Sequence, residues 1–155
     1  MARRIATADR VDRAELLDFL RSRRNGVLLT TRSNGSPQLS PVTYGVDADG
    51  HVLVSTYPDR AKAVNLRRRT AASLISLGAD FDDAWVQIDG TAEVIDLPDS
   101  VEPLVDYYRS VAGEHPDWDE YREAMVKQGK SLIRVAITHW GPVATGGFPP
   151  SAAGG

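Results

Sequence analysis

The chain has 155 residues, 42% of them hydrophobic, and its 18 Lys and Arg against 21 Asp and Glu leave a formal charge of −3. That length suits one domain hiding roughly 68–70% of its unfolded surface, so a second domain is not expected. The absence of cysteine excludes disulfides, thiol nucleophiles and thiolate metal sites, and mild acidity gives no basic footprint for nucleic acid.

No apolar run nears the roughly 18 residues of a membrane span. "MARRIATADR" carries the charges of a signal peptide without its apolar stretch, so a cytoplasmic protein with no membrane partner is expected.

In "RVDRAELLDFLRSRR" the spacing of Leu16, Leu17 and Leu20, with Phe19 beside them, predicts a helix with one apolar face. "GVLLTT" and "PQLSPVTYGV" then flank "RSNGS", where Asn34-Gly35 is expected to supply the positive φ values of a tight hairpin turn. The sequon Asn34-Gly35-Ser36 is accordingly read as a turn. "DADG" turns the chain into "HVLVST", which completes a three-strand meander over 26–56. A helix is expected over 59–69 and a fourth strand at "AASLISL". In "AWVQIDGTAEVIDL" the pair Asp89-Gly90 is either a hairpin turn or a bulge in one long strand, and local rules leave both open.

"DSVEPLVDYYRSVAG" and "DWDEYREAMVKQG" read as helices. In the second, Asp117 and Glu120 resemble a capping box, while Trp118, Tyr121 and Met125 share a face. "SLIRVAITHWGPVATGG" supplies a sixth strand, closing a single domain over 1–145, with 146–155 as a flexible tail. Strands joined by turns, with helices inserted rather than alternating, argue a closed or nearly closed antiparallel barrel of the α+β kind.

Usual catalytic signatures are missing. His51, His115 and His139 are scattered without an H-x-x-x-H pair, and no Rossmann, P-loop or G-x-S-x-G pattern occurs. Asp82 and Asp83 fall in the polar loop "GADFDDA", which suits a solvated turn. What remains is "STYPDRAKAVNLRRR", residues 55–69. With Asp59 as N-cap, Arg60 and Lys62 become the first and third residues of a helix whose free N–H groups attract anions, a setting for phosphate. Against this, cations in a first turn oppose the helix dipole, and a solvated face explains them equally well. Arg67, Arg68 and Arg69 lie at the other end, where the dipole favours cations without a ligand.

The order of a strand, the strand "PQLSPV", a strand ending "VST", then R-x-K-x-x-N-L and later "DGTAEV", resembles the pyridoxamine-phosphate-oxidase-like split-barrel flavoproteins over nearly the whole chain. "AGEHPDWDEYREAM", with "SPQLSPV" and "DRAKAVNLRRR", is similar to the actinobacterial class B flavin/deazaflavin oxidoreductases, whose members mostly use coenzyme F420. The resemblance implies a six-stranded antiparallel split barrel with peripheral helices, assembled as a homodimer with composite cofactor sites. It settles "QIDGTAEV" as one bent strand.

By the same resemblance, Arg60 and Lys62 grip the cofactor phosphate with help from Asn65. Gln38, Ser40, Pro41 and Val42 lie along the tricyclic ring, and Ser55 and Thr56 contact the ring or its ribityl chain. The partner subunit is expected to contribute Trp85 and Gln87, and less directly His139 and Trp140. Plain packing is the competing account: Val42, Trp85 and Trp140 as barrel or dimer core, Gln38 and Ser40 as outward strand residues.

The implied activity is hydride transfer from the reduced deazaflavin C5 to an electron-poor small molecule such as an enone, a quinone-like acceptor or a tetrapyrrole, the cofactor carrying the chemistry. The alternatives are an FMN-dependent oxidase or reductase and a flavin- or deazaflavin-storage protein without turnover. Tyr44 is a candidate proton donor, set against strand packing. Arg67 to Arg69, or Arg23 and Arg24, would meet the oligoglutamate tail of F420. The basic C-terminal motif of pyridoxamine phosphate oxidase itself is not visible in "ITHWGPVATGGFPP", so vitamin oxidation is not expected.

Overall fold

A computed structural model describes residues 6–146 of the protein. Its elements in chain order are β1 (Ala8–Asp9), α1 (Arg13–Arg21), β2 (Asn25–Thr31), β3 (Pro37–Val46), β4 (Val52–Thr56), α2 (Ala61–Arg68), β5 (Ala71–Leu77), β6 (Val86–Ile95), α3 (Val101–Ala112), α4 (Trp118–Gln128), β7 (Ser131–Trp140) and β8 (Val143–Ala144). The expected tail falls outside the described residues beyond Gly146.

Strands β2 to β7 close a barrel in the order β2-β3-β4-β7-β6-β5, every pairing antiparallel. Alternation dictates the interior: Leu28 on β2, Tyr44 on β3, Val52 and Val54 on β4, Leu74 on β5, Ile88 on β6 and Ile133 on β7 are all fully or nearly fully buried. Leu16, Leu17 and Leu20 of α1 join the same cluster, so the predicted helix face packs into the barrel. A second cluster lies outside the barrel wall, where Leu104 and Val105 of α3 and Tyr121 and Met125 of α4 cover Leu53 and Leu132. The α3–α4 hairpin is therefore fixed against β4 and β7.

The residues expected to form one bent strand do so. β6 runs unbroken from Val86 to Ile95 with a register shift at Asp89/Gly90. Glycine is required there because a Cβ on Gly90 would come within 2.2 Å of the Ala136 carbonyl oxygen.

Local chemistry differs from expectation at three places. The β2–β3 connection runs over five residues, Arg32 to Ser36, closed by the Arg32 N–H donating to the Ser36 carbonyl (2.8 Å), and of the Asn34-Gly35 pair only Gly35 takes positive φ (88°). Asn34 instead accepts hydrogen bonds from the Ser36 N–H (3.0 Å) and hydroxyl (2.6 Å). The first cap of α2 is Arg60, not Asp59, with no side-chain cap bond, so Lys62 is the second helical residue. The capping box with both bonds present sits on α1, between Asp12 and Glu15. On α4, Asp117 caps the Glu120 N–H, while the Asp117 N–H donates to His115 Nδ1.

Two short strands carried no periodic signal. β1 and β8, two residues each, pair antiparallel beside the barrel, and Trp85 bridges to Ala144.

Candidate functional site: a cationic groove at the split between β3 and β4

β3 has ten residues, seven of which pair with β2, but it pairs with β4 only over Tyr44, Gly45 and Val46. From Pro37 to Thr43 its second edge has no strand partner among the described residues, and the barrel wall parts there. In the gap lies a groove of about 490 Å³. Pro41, Val42 and Thr43 of β3 form one wall with Val54 and Ser55 of β4, and Tyr107, Tyr108, Tyr121 and Met125 of the α3–α4 hairpin form the other. Its volume lies within the roughly 300–1,000 Å³ typical of small-molecule sites. The apolar and aromatic walls suit a planar heterocycle, and the free edge of β3 offers backbone hydrogen-bonding groups of the kind an amide ring uses. The Thr43 carbonyl is already engaged by the Tyr107 hydroxyl at 3.1 Å.

Lys62 and Lys130 line the same groove. Lys62 stands in the first turn of α2, a turn without an acidic residue, and Arg60 stands at its cap. Lys130, immediately before β7, reaches the same place because Ser131 pairs with Thr56 at the end of β4. Tyr57 follows Thr56, and its ring carries both neighbouring cations: Lys130 Nζ lies 4.0 Å and the Arg60 guanidinium 6.0 Å from the centroid.

Among the described residues no carboxylate forms an ion pair with Arg60, Lys62 or Lys130. Burial, then the charge of Arg60, then that of Lys130 hold the Lys62 amine below its ordinary pKa. Three cations crowded against an uncapped helix N-terminus make a focus of positive potential in an otherwise acidic protein.

The remaining anticipated residues separate into those in the groove and those behind it. Pro41, Val42 and Ser55 line it, whereas Thr56 is only 4% exposed and faces the barrel interior. Asn65 lies behind it: its Nδ2 donates to Thr30 Oγ1 (3.1 Å), and its Oδ1 accepts from Arg68 (3.1 Å). Thr30 Oγ1 in turn donates to Gln38 Oε1 (3.0 Å), and Gln38 Nε2 to Ser40 Oγ (2.8 Å). This relay ties α2 to β2 and β3 and holds the groove's supports.

Tyr44 is fully buried, its hydroxyl 3.0 Å from the Leu20 carbonyl oxygen and 2.7 Å from Ser76 Oγ. Burial pushes its phenol up to about 12. Tyr44 is thus placed in the core, away from the groove. Arg67 is bound bidentately by Asp96 (2.7 and 2.9 Å) and donates to the Pro58 carbonyl, so it fastens α2 to the end of β6. Arg23 lies over the Phe19 ring and donates to the Ala84 carbonyl. The acidic turn Asp47, Asp49 and His51 is organised by its own bonds, Asp47 accepting from the Asp49 and His51 N–H groups.

Trp85, Gln87, His139 and Trp140 gather elsewhere. Trp140 pairs with Ile88, and its indole donates to the Val11 carbonyl at 2.9 Å. Asp89 accepts from Ser73, Gln87 and His139. A second cleft, of about 530 Å³, opens beside His139 and Trp140 and includes Arg10 and Pro142. Lys130 precedes the first residue of β7 and Trp140 is its last. At ~3.3 Å per residue, roughly 30 Å of strand separates the two places, so one chain does not bring them together.

The sequence reading gave no site role to Lys130, Tyr57, Tyr107 or Tyr108, and it placed Tyr121 only on the packing face of its helix. Nothing in linear spacing points to them, because barrel register alone carries Lys130 to Lys62.

An antiparallel barrel parted at one seam, with a cationic pocket at the seam, defines the split-barrel class. The chain belongs to the pyridoxamine 5'-phosphate oxidase family, whose model matches residues 13–144. Among solved structures, a conserved hypothetical protein from Mycobacterium tuberculosis is 26% identical with a TM-score of 0.72, over 88% of this chain and 89% of that one. An F420 reductase aligns at 18% identity and a TM-score of 0.58, over 79% of this chain and 94% of that one. A heme-binding protein from Mycobacterium smegmatis aligns at 20% identity and a TM-score of 0.63, over 84% of this chain and 53% of that one. At these last two identities the likeness is one of fold. No described helix is long and apolar enough to cross a membrane.

Proposed function

We propose that the protein is an F420H2-dependent reductase of electron-poor small molecules, working as a homodimer in the cytoplasm. The observation that carries this reading is the groove: a planar-ligand slot lined by Lys62 and Lys130, with Arg60 beside them at the uncapped N-terminus of α2. A phosphorylated tricyclic cofactor matches it end to end. Arg60 and Lys62 would take the phosphate, Ser55 the polyol chain, and Pro41 and Val42 the ring face. The bound deazaflavin would supply the hydride; the chain supplies orientation, positive potential and exclusion of water by the hairpin tyrosines. With Tyr44 sealed in the core, the proton that balances hydride addition comes from solvent or substrate-side groups.

The cleft at Trp140 supports a composite site. In a homodimer the partner's Trp85, Gln87 and Trp140 would close over the ring that Pro41 and Val42 support. The fold shared with an F420 reductase is compatible with the deazaflavin, and the titration below separates it from FMN.

The test is titration of the apoprotein with F420 and with FMN, followed by turnover of the reduced cofactor with a panel of enones and quinones. Each charged hydrogen bond contributes about 1.5–3 kcal/mol, so Arg60→Ala and Lys62→Ala should weaken cofactor binding by about 10- to 150-fold without lowering the apo melting temperature. Variants that bind like the parent would remove the phosphate reading. Tight binding with no acceptor reduced would replace the reductase by a storage protein.

A further inference from the structure

The chain uses arginine almost everywhere, with only Lys62, Lys127 and Lys130 as lysines. Two of the three converge in the groove, from α2 and from the start of β7, far apart in sequence. We infer that Lys130 is a third anion-binding side chain of the groove and that this end takes a ligand with at least two negative charges, such as a phosphate bearing a further carboxylate or phosphate. The inference deepens the proposed function and rests on that reading for the identity of the ligand.

Lys130 Nζ stands 4.0 Å from the Tyr57 centroid, over the ring that also receives Arg60. No acid neutralises it among the described residues, although acidic side chains outnumber basic ones in the chain. Its charge acts on Lys62 strongly enough to help depress the Lys62 amine. Like charges held together without a counter-charge oppose folding of the empty protein and favour a multiply charged ligand.

A purely structural Lys130 would behave in the opposite way. A cation over a ring at a partly exposed site stabilises by about 0.5–1 kcal/mol, so its removal would lower the melting temperature of the apoprotein. Removal of a repelling cation raises it or leaves it unchanged. Sign alone separates the two roles.

The experiment uses the full chain as parent, Lys130→Gln, Lys130→Arg and Lys127→Gln, the last on an exposed turn of α4. Each is melted alone and with inorganic pyrophosphate, and titrated with F420, FMN and riboflavin. Expected for Lys130→Gln are an apo melting temperature no lower than the parent's, loss of pyrophosphate stabilisation and at least about tenfold weaker binding of the phosphorylated cofactors. Riboflavin affinity should not change, Lys130→Arg should restore binding, and Lys127→Gln should match the parent. Pyrophosphate stabilisation that depends on Lys130 while neither cofactor binds upholds the inference and removes the proposed function. Parent-like anion binding by Lys130→Gln, or a lowered apo melt with unchanged affinities, overturns it, as does a parent that pyrophosphate does not stabilise.

Discussion

At the scale of single residues, burial and partner count decide which polar side chains are available for chemistry. Tyr44 shows the principle: its hydroxyl is satisfied by Leu20 and Ser76 inside the barrel, and its phenol is pushed up to about 12. A folded-state pKa above the ordinary 10.0 means that folding favours the protonated phenol. That contribution is complete below pH ~10 and is lost as pH rises from there through the folded value. Tyr44→Phe should therefore remove one of the three phenols that burial holds above their ordinary pKa, the others being Tyr107 and Tyr121, from a spectrophotometric titration. At neutral pH the variant leaves Ser76 Oγ without its phenol partner, while the Leu20 carbonyl keeps the Arg23 N–H (3.2 Å), and it should lose about 1–3 kcal/mol. Cofactor affinity should be unchanged. A marked loss of affinity in a variant that melts like the parent would return Tyr44 to the site.

At the scale of elements, strands were more legible than the turns between them, and helices more legible than their ends. β5 was legible at Ala71–Leu77 as a short, largely apolar run, although its apolar residues do not alternate: Ala72, Leu74 and Ser76 face inward, and Ile75 and Leu77 lie on the other face. The α2 cap was missed because Asp59 is a better cap by type, yet the chain turns one residue later, at Arg60. Local rules could not settle Asp89-Gly90, since the same dipeptide serves a hairpin or a bulge. The deciding fact is long-range: β7 runs past β6 on both sides of the shift, and only glycine admits the Ala136 carbonyl. Gly90→Ala should accordingly destabilise by at least the about 1–3 kcal/mol of an over-packed core, because the obstacle is backbone. In a domain of this size that is a fall of several degrees in a thermal melt, at about 2–4 °C per kcal/mol. A melt within a degree of the parent would mean that the shift is not a tight packing point.

At the scale of the whole molecule, half of the candidate site was legible and the reason is geometric. Arg60 and Lys62 stand two residues apart in sequence, whereas Lys130 and the hairpin tyrosines meet Lys62 only through barrel register. The roughly 30 Å along β7 between this groove and the Trp140 cleft then poses a question of assembly. Outside the barrel, Leu29 faces Leu39 across β2 and β3, and Val27 faces both Pro41 and Ile75. α3 packs on the second half of β3 and on β4, so these outward side chains remain partly exposed, with Leu39 at 60%. An apolar sheet face of this kind is where a second copy is expected to dock. Leu39→Glu tests it without touching the core: the parent should sediment as a dimer and the variant as a folded monomer. If the partner completes each site, ligand and dimer stabilise one another by mass action, so dilution of the parent should release cofactor and Leu39→Glu should bind it weakly at any concentration. A parent that stays monomeric, or a monomeric variant with full affinity, would show that one chain holds the cofactor alone and that the Trp140 cleft serves something else.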